Sequence, residues 1–222
     1  MSFFNLGDYY IKQLINATIE TLYLSVISTL FVTFFGLILG ILLFSTSKHQ
    51  ILENKYTYNG ISIVVNIIRS IPFIILIILL LPFTKFLMGT ILGPNAALPA
   101  LIIGMSPFYA RVVESSFKEI NKGIIEAAKA NGASDLQIIL KVLIPESLPT
   151  LISNLTTLAI AIIGYTALAG VIGAGGLGNL AFIEGFQRNN QIITLWATFI
   201  ILVLVFITQG IGDIIVKKID KR

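Results

Sequence analysis

Apolar residues run along this chain in long blocks separated by short polar stretches. Five blocks approach or exceed the ~20 residues that a helix needs to cross a bilayer: 21–44, 61–83, 91–110, 151–172 and 191–212. All five are predicted as helices, because an open strand would leave backbone groups unpaired in hydrocarbon. Gly93, Pro94, Pro99, Gly104 and Pro107 loosen the third block and predict kinks, or a start nearer Ala97. Residues 8–20 predict a partly amphipathic lead-in lying at the interface. The first twenty residues hold only Lys12 against Asp8 and Glu20. The apolar run behind them is longer than the ~7–15 residues of a signal-peptide core. The first block therefore reads as a retained span.

Composition agrees with lipid as the solvent. The 222 residues are 56% hydrophobic and 12% charged, with a mean hydropathy of +0.93. Soluble domains carry about 25% charged residues, too many for this chain to resemble one. There is no cysteine, so disulfides and thiolate metal sites are excluded. The net charge of +4 is small, and no basic patch is interleaved with aromatics, so nucleic acid is not an expected partner.

The placement of the charge says more than its size. Lys48, Lys55, Arg111, Lys118, Lys122, Lys129, Lys141, Lys217, Lys218, Lys221 and Arg222 fall in loops on one side of the five blocks. Lys12, Lys85 and Arg188 fall on the other. Eleven against three orients the chain with its N-terminus outside and its C-terminus in the cytoplasm. The expected fold is an all-α, polytopic helical bundle of about five transmembrane helices. It forms one domain over 1–222, with a cytoplasmic loop at 111–149.

That loop carries its own local code. Ser116 with Glu119 fits a capping box, and Asn121 is an equal candidate for the helix start. Residues 124–130 are good helix formers, and Asn131-Gly132 supplies the left-handed residue that ends helices. Ser134-Asp135-Leu136-Gln137 is a second capping box. The helix it opens sets Leu136, Ile139, Leu140 and Leu143 on one face, and Pro145 is expected to stop or bend it.

Glu126-Ala127-Ala128, then Gly132 after three residues, then Val142-Leu143-Ile144-Pro145, resembles the "EAA loop" of ABC importer permeases. The family pattern is Glu-Ala-Ala-x3-Gly-x9-Ile-x-Leu-Pro, with Val142 here in place of Ile and Ile144 in place of Leu. Residues 66–73 (Asn-Ile-Ile-Arg-Ser-Ile-Pro-Phe) and 164–178, which is rich in glycine and alanine, resemble the methionine-import branch. The resemblance implies a permease of the bacterial cytoplasmic membrane that moves methionine or a related amino acid inward. It implies a homodimer of this subunit, two copies of an ABC ATPase and an extracytoplasmic substrate-binding protein. ATP and Mg would sit on the ATPase, with no cofactor in this chain. Glu126, Ala127, Ala128, Gly132, Val142, Ile144 and Pro145 would form the ATPase-coupling segment. A permease for another small ligand is the nearest alternative.

Other residues admit two readings. Gly173-x-Gly175-x-x-Gly178 matches a dinucleotide fingerprint, but that motif requires a strand before it and a βαβ unit around it. Close helix packing and flexible backbone near an outer mouth fit better. Tyr165 and Leu168 are bulky among Gly164, Ala167, Ala169 and Gly170, as a hydrophobic gate or as packing and lipid-facing residues. Arg69, a charge inside the second block, snorkels to the interface or faces the bundle interior. Pro72 is expected to kink that block around Ile68. His49 reads as solvated surface.

No Gly-x4-Gly-Lys-Ser/Thr loop is present, so this chain is not an ordinary P-loop ATPase. One histidine and no cysteine leave no nucleophilic triad. Every Asp and Glu is expected in a loop or at a span end, which disfavours an ion-coupled secondary transporter, the alternative from a different class.

Overall fold

The structure, a computed structural model, describes residues 7–220. Lys221 and Arg222, two of the tail cations, lie outside the described residues, as do residues 1–6. The helices are α1 (Asp8–Thr46), α2 (Lys55–Ser70), α3 (Phe73–Met88), α4 (Pro94–Lys118), α5 (Lys122–Ala130), α6 (Asp135–Ile138), α7 (Ile144–Val171), α8 (Gly176–Leu180) and α9 (Gln191–Ile219). π-helical turns at Ile139–Leu143 and Ala181–Gln187 follow α6 and α8. No strand occurs among the described residues. Among the described residues four helices are long and apolar enough to cross a membrane, or five if α2 and α3 form one broken span. The all-α membrane bundle expected from the apolar blocks is the observed fold.

The structure changes several boundaries. The lead-in at 8–20 is part of α1 itself, so Glu20 sits inside a helix and not in a loop. The second block is two helices in place of one, broken at Ile71-Pro72. A residue before proline is pushed out of the α region, and proline has no N–H to extend a helix from behind. Pro72 instead starts α3, its carbonyl accepting from Ile75 and Leu76. The third block starts at Pro94, earlier than Ala97, and runs on to Lys118, so Arg111 and Glu114 are helical. α7 begins at Ile144 and passes through Pro145 and Pro149 without stopping.

The chain divides into two compact units. The first comprises Met1–Leu30, Ile71–Ile103 and Ala159–Gly210. In it, Leu24, Ile77, Leu101 and Ala169 centre one apolar cluster, with Phe73 and Tyr165 packed against it. Leu14, Leu177 and Ile193 centre another. The second unit comprises Phe31–Ser70, Gly104–Leu158 and Ile211–Arg222. There Leu43, Val65 and Ala110 pack together, and Phe44 meets Phe117 edge to face at 5.5 Å. Gly36 and Gly40, spaced four apart on α1, lie against Tyr109, Ala110 and Val113 of α4. A Cβ on Gly40 would come within 2.8 Å of the Ala110 carbonyl oxygen. This is small-residue packing of the kind that substitutes for a hydrophobic drive between helices in lipid.

Burial ranks the spans. The most apolar window of α4 is 67% buried, whereas that of α9 is 6% buried. α4 is thus the most enclosed of these helices. α9 presents Phe199, Leu202, Phe206 and Ile207 outward, as a helix facing lipid or another apolar surface must.

Candidate functional site

The segment from Asn121 to Pro145 is a helix, a glycine turn and a second helix, each end closed by its own residues. Asn121, not Ser116, caps α5: its side chain accepts from the Gly123 N–H at 2.9 Å. Ser116 is buried inside α4, where its hydroxyl donates to the Val112 carbonyl at 2.9 Å. At the far end Gly132 adopts φ +79°, a left-handed conformation that glycine takes without steric cost. The Gly132 N–H donates to Lys129 O and the Ala133 N–H to Ala128 O, the paired bonds of a Schellman motif. Two residues later Ser134 and Gln137 bond reciprocally, as the expected capping box.

Beyond the box the helix widens. The Ile144 N–H bonds to Ile139 O, one residue further back than in an α-helix. Pro145 explains the need. In a regular helix its ring would press on the Lys141 carbonyl, and a π turn lets the chain pass that point without ending. Widening also re-aims the side chains, so the predicted apolar face is not the observed one. Ile138, Ile139 and Leu143 turn inward, while Leu136 (64% exposed) and Leu140 (53% exposed) point out. Ile125 is the inward residue of α5. Glu126 and Ala127 are exposed and Ala128 is half-buried. Gly132 and Pro145 are also exposed, and Val142 and Ile144 are half-buried. Glu126 shares a small pocket with His49, Lys122 and Lys129, a neighbourhood that spacing alone does not predict. The seven candidate coupling residues therefore lie on one continuous helical hairpin. Its outer surface carries a carboxylate, alanines and two leucines.

The other candidates stand apart. Tyr165 packs edge to face on Phe73 at 4.6 Å and is half-buried. Leu168 is 44% exposed, while Ala169 and Gly170 beside it are buried. Both belong to the first unit. Arg69 belongs to the second unit, where its guanidinium lies over the Phe108 ring at 5.7 Å. That cation–π contact gives it a structural partner.

The glycine cluster makes contacts that its local sequence does not encode. α8 has no side-chain cap of its own. Its free N–H groups are met from α1: the Gly176 N–H donates to Glu20 Oε2 at 2.7 Å and the Leu177 N–H to Thr21 Oγ1 at 2.9 Å. Gly175 and Gly176 have φ of +78° and +79°, and a Cβ on either would run into these same two side chains. Gly170 and Gly178 meet at backbone contact with Asn179 and Ala167. The Asn179 amide donates to the Gly170 carbonyl at 2.8 Å. Replacing Glu20 with alanine is expected to lower stability by about 2 kcal/mol, the scale of a charge-assisted hydrogen bond. Glu20→Gln, which keeps an acceptor, should lose clearly less. Thermal unfolding of the purified protein in detergent reads both.

A second network was also out of reach. Glu114 is 3% exposed and accepts from Arg111 and Lys118, each at 2.7 Å, and from the Tyr58 hydroxyl at 3.2 Å. Arg111 donates in turn to Ser62 and Asn66, so α2 is tied to α4 through one guanidinium. In the sequence these residues are scattered over 58–118. Only the i+3 and i+4 spacing of Glu114 from Arg111 and to Lys118 hints at a pairing.

The family of binding-protein-dependent transport system inner membrane components matches this chain over residues 33–221. The chain belongs to that family. Among its relatives, the methionine import system permease protein MetP of Bacillus subtilis (strain 168) is 62% identical over 212 residues, 96% of each chain. The probable D-methionine transport system permease protein MetI of Pasteurella multocida (strain Pm70) is 45% identical over 206 residues, covering 93% of this chain and 95% of that protein. A solved structure of the MetNI methionine ABC transporter in an inward-facing conformation superposes with a TM-score of 0.95. It is 39% identical and covers 97% of this chain and 100% of that one. An amino acid ABC transporter crystallised with histidines shares the fold at a TM-score of 0.77 and 20% identity. The permease is thus a multi-pass inner-membrane transport component.

Proposed function

We propose that this permease carries methionine, or a close relative of it, into the cytoplasm, driven by ATP hydrolysis on a separate subunit. The observation that carries the reading is the hairpin at 121–145. Its two capped helices and fixed glycine angle make it a stiff lever, and its outer face offers Glu126, Ala127, Leu136 and Leu140 to a partner. The names of the relatives support methionine as the cargo.

In this reading two copies of the permease pair in the membrane, two ABC ATPase subunits hold ATP and Mg, and an extracytoplasmic binding protein delivers the substrate. The N-terminus lies outside and the C-terminus inside, as the Lys and Arg bias indicates. ATP closes the ATPases and draws the two hairpins together, opening the pathway outward. Hydrolysis reverses the movement, so the permease contributes a pathway and a lever. Leu168, exposed beside buried Ala169, and Tyr165 are the candidates for a gate between the two copies, and Arg69 for a pathway-lining charge.

Reconstitution of the chain with its ATPase and binding protein should give ATP-dependent uptake of labelled methionine. Uptake that persists without the ATPase would sink the importer reading; uptake of another ligand only would sink the substrate. Gly132→Pro removes the Gly132 N–H bond and demands a φ near −65°, opposite in sign to the observed +79°. Glu126→Lys reverses the exposed charge. Both are expected to cut copurification with the ATPase and ATP-driven uptake by about tenfold or more, the effect of losing about 1.4 kcal/mol of coupling. Unchanged values for both variants would show that the hairpin is not the docking element.

A further inference from the structure

At the end of α1, in the second unit, the structure holds a pocket of ≈ 660 Å³ that the transport reading does not use. Its wall carries Lys48, Lys55, Lys118 and Lys122 against a single carboxylate, Glu53. Glu53 accepts from the His49 backbone N–H at 2.9 Å and is the one negative charge in the wall. Lys118 is paired with Glu114. Among the described residues no ion pair involves Lys48, Lys55 or Lys122. Four lysines therefore line one cavity with a single carboxylate, an excess of positive charge that an entering anion would offset.

The location narrows the anion. The apolar run of α1 ends at Thr46 and α2 begins at Lys55, so the pocket lies where a membrane span gives way to water. This holds whichever direction α1 crosses, and does not depend on the function proposed above. The volume lies within the ≈ 300–1,000 Å³ of small-molecule sites and far exceeds the need of a lone inorganic ion. Nearby in the chain, Leu52 is 51% and Tyr56 90% exposed, large side chains left uncovered at the end of the span. We propose that this pocket binds a phosphate-bearing anion, and that the anion is the headgroup of an acidic phospholipid. The lysines act as point charges on the phosphodiester.

The test is native mass spectrometry of the full-length chain in detergent, titrated with phosphatidylglycerol, with phosphatidylcholine or with inorganic phosphate. Wild type should retain phosphatidylglycerol in preference to phosphatidylcholine. Lys48→Gln, Lys55→Gln and Lys122→Gln should each weaken it about fivefold, the scale of one lysine at an anionic surface. Lys12→Gln and Lys85→Gln, which do not line the pocket, should not. Each single variant is compared at an unchanged thermal midpoint; if one unfolds, the other two carry the test. Equal retention of the two lipids, or equal loss in all five variants, would overturn the proposal. Displacement of phosphatidylglycerol by millimolar inorganic phosphate would assign the pocket to a free anion and overturn the lipid headgroup.

Discussion

Gly178→Val is expected to leave little folded protein. A Cβ at Gly178 would collide with the Cα and carbonyl of Ala167, which are backbone atoms of α7 and not the movable end of a side chain. Overpacking of a tight site costs about 1–3 kcal/mol when neighbours can shift. Here the neighbour is a helix backbone held by its own ladder, and valine adds two methyls beyond the colliding Cβ. A loss of at least about 3 kcal/mol is therefore expected, a large share of the 5–15 kcal/mol that holds a typical domain. The observable is the yield of monodisperse protein after detergent extraction, with the thermal midpoint of any survivor. Gly60→Ala is the control. Nothing lies within 4 Å of a Cβ there, and alanine in a helix interior should gain about 1 kcal/mol. Equal yields for Gly178→Val and Gly60→Ala would show that the close approach of α8 to α7 is unimportant.

Glu114→Ala should be nearly as damaging, for an electrostatic reason. Its carboxylate is the shared partner of Arg111 and Lys118. Lys118 is half exposed and can turn to water, whereas the Arg111 side chain is 19% exposed and held by Ser62 and Asn66. Removing one member of a buried pair leaves the other charge without compensation, at a cost of about 3–5 kcal/mol. The lower end applies here, because Arg111 keeps two polar neighbours. Glu114→Gln should fall between alanine and wild type, since an amide oxygen still accepts but carries no charge. The double variant Glu114→Ala with Arg111→Met should recover part of the loss, because no orphaned guanidinium remains. Chemical or thermal unfolding in detergent would separate these cases. A double variant less stable than Glu114→Ala would argue against a charge-compensation role.

Membership of the binding-protein-dependent transport family places the fold in context, and most of that fold was legible in the chain. Four of the apolar blocks correspond to helices long enough to cross a membrane, and the second to the bent pair α2 and α3. The hairpin at 121–145 was readable because its signals are local. A capping box needs residues three apart, a Schellman turn needs one glycine, and both are decided by the nearest backbone. What local signals could not decide was the competition between them. Ser116 and Asn121 both look like helix starts, and α4 resolves the choice by running on to Lys118 and burying Ser116. The same limit explains the misplaced face at 136–143. A regular helical period does not hold there, because a π turn ahead of Pro145 shifts it.

Sequence by itself determined that this chain lives in lipid, that it is helical, and that a capped hairpin lies between its third and fourth apolar blocks. Lipid leaves no other backbone solution, and caps act over a single turn. Only the tertiary structure decided what Glu20, Glu114 and the glycines do. Glu20 caps a helix 156 residues away, and Gly40 and Gly178 are required by helices that touch them from elsewhere in the chain. A charge or a glycine in a sequence carries no address for its partner. The address appears only when packing brings the two together.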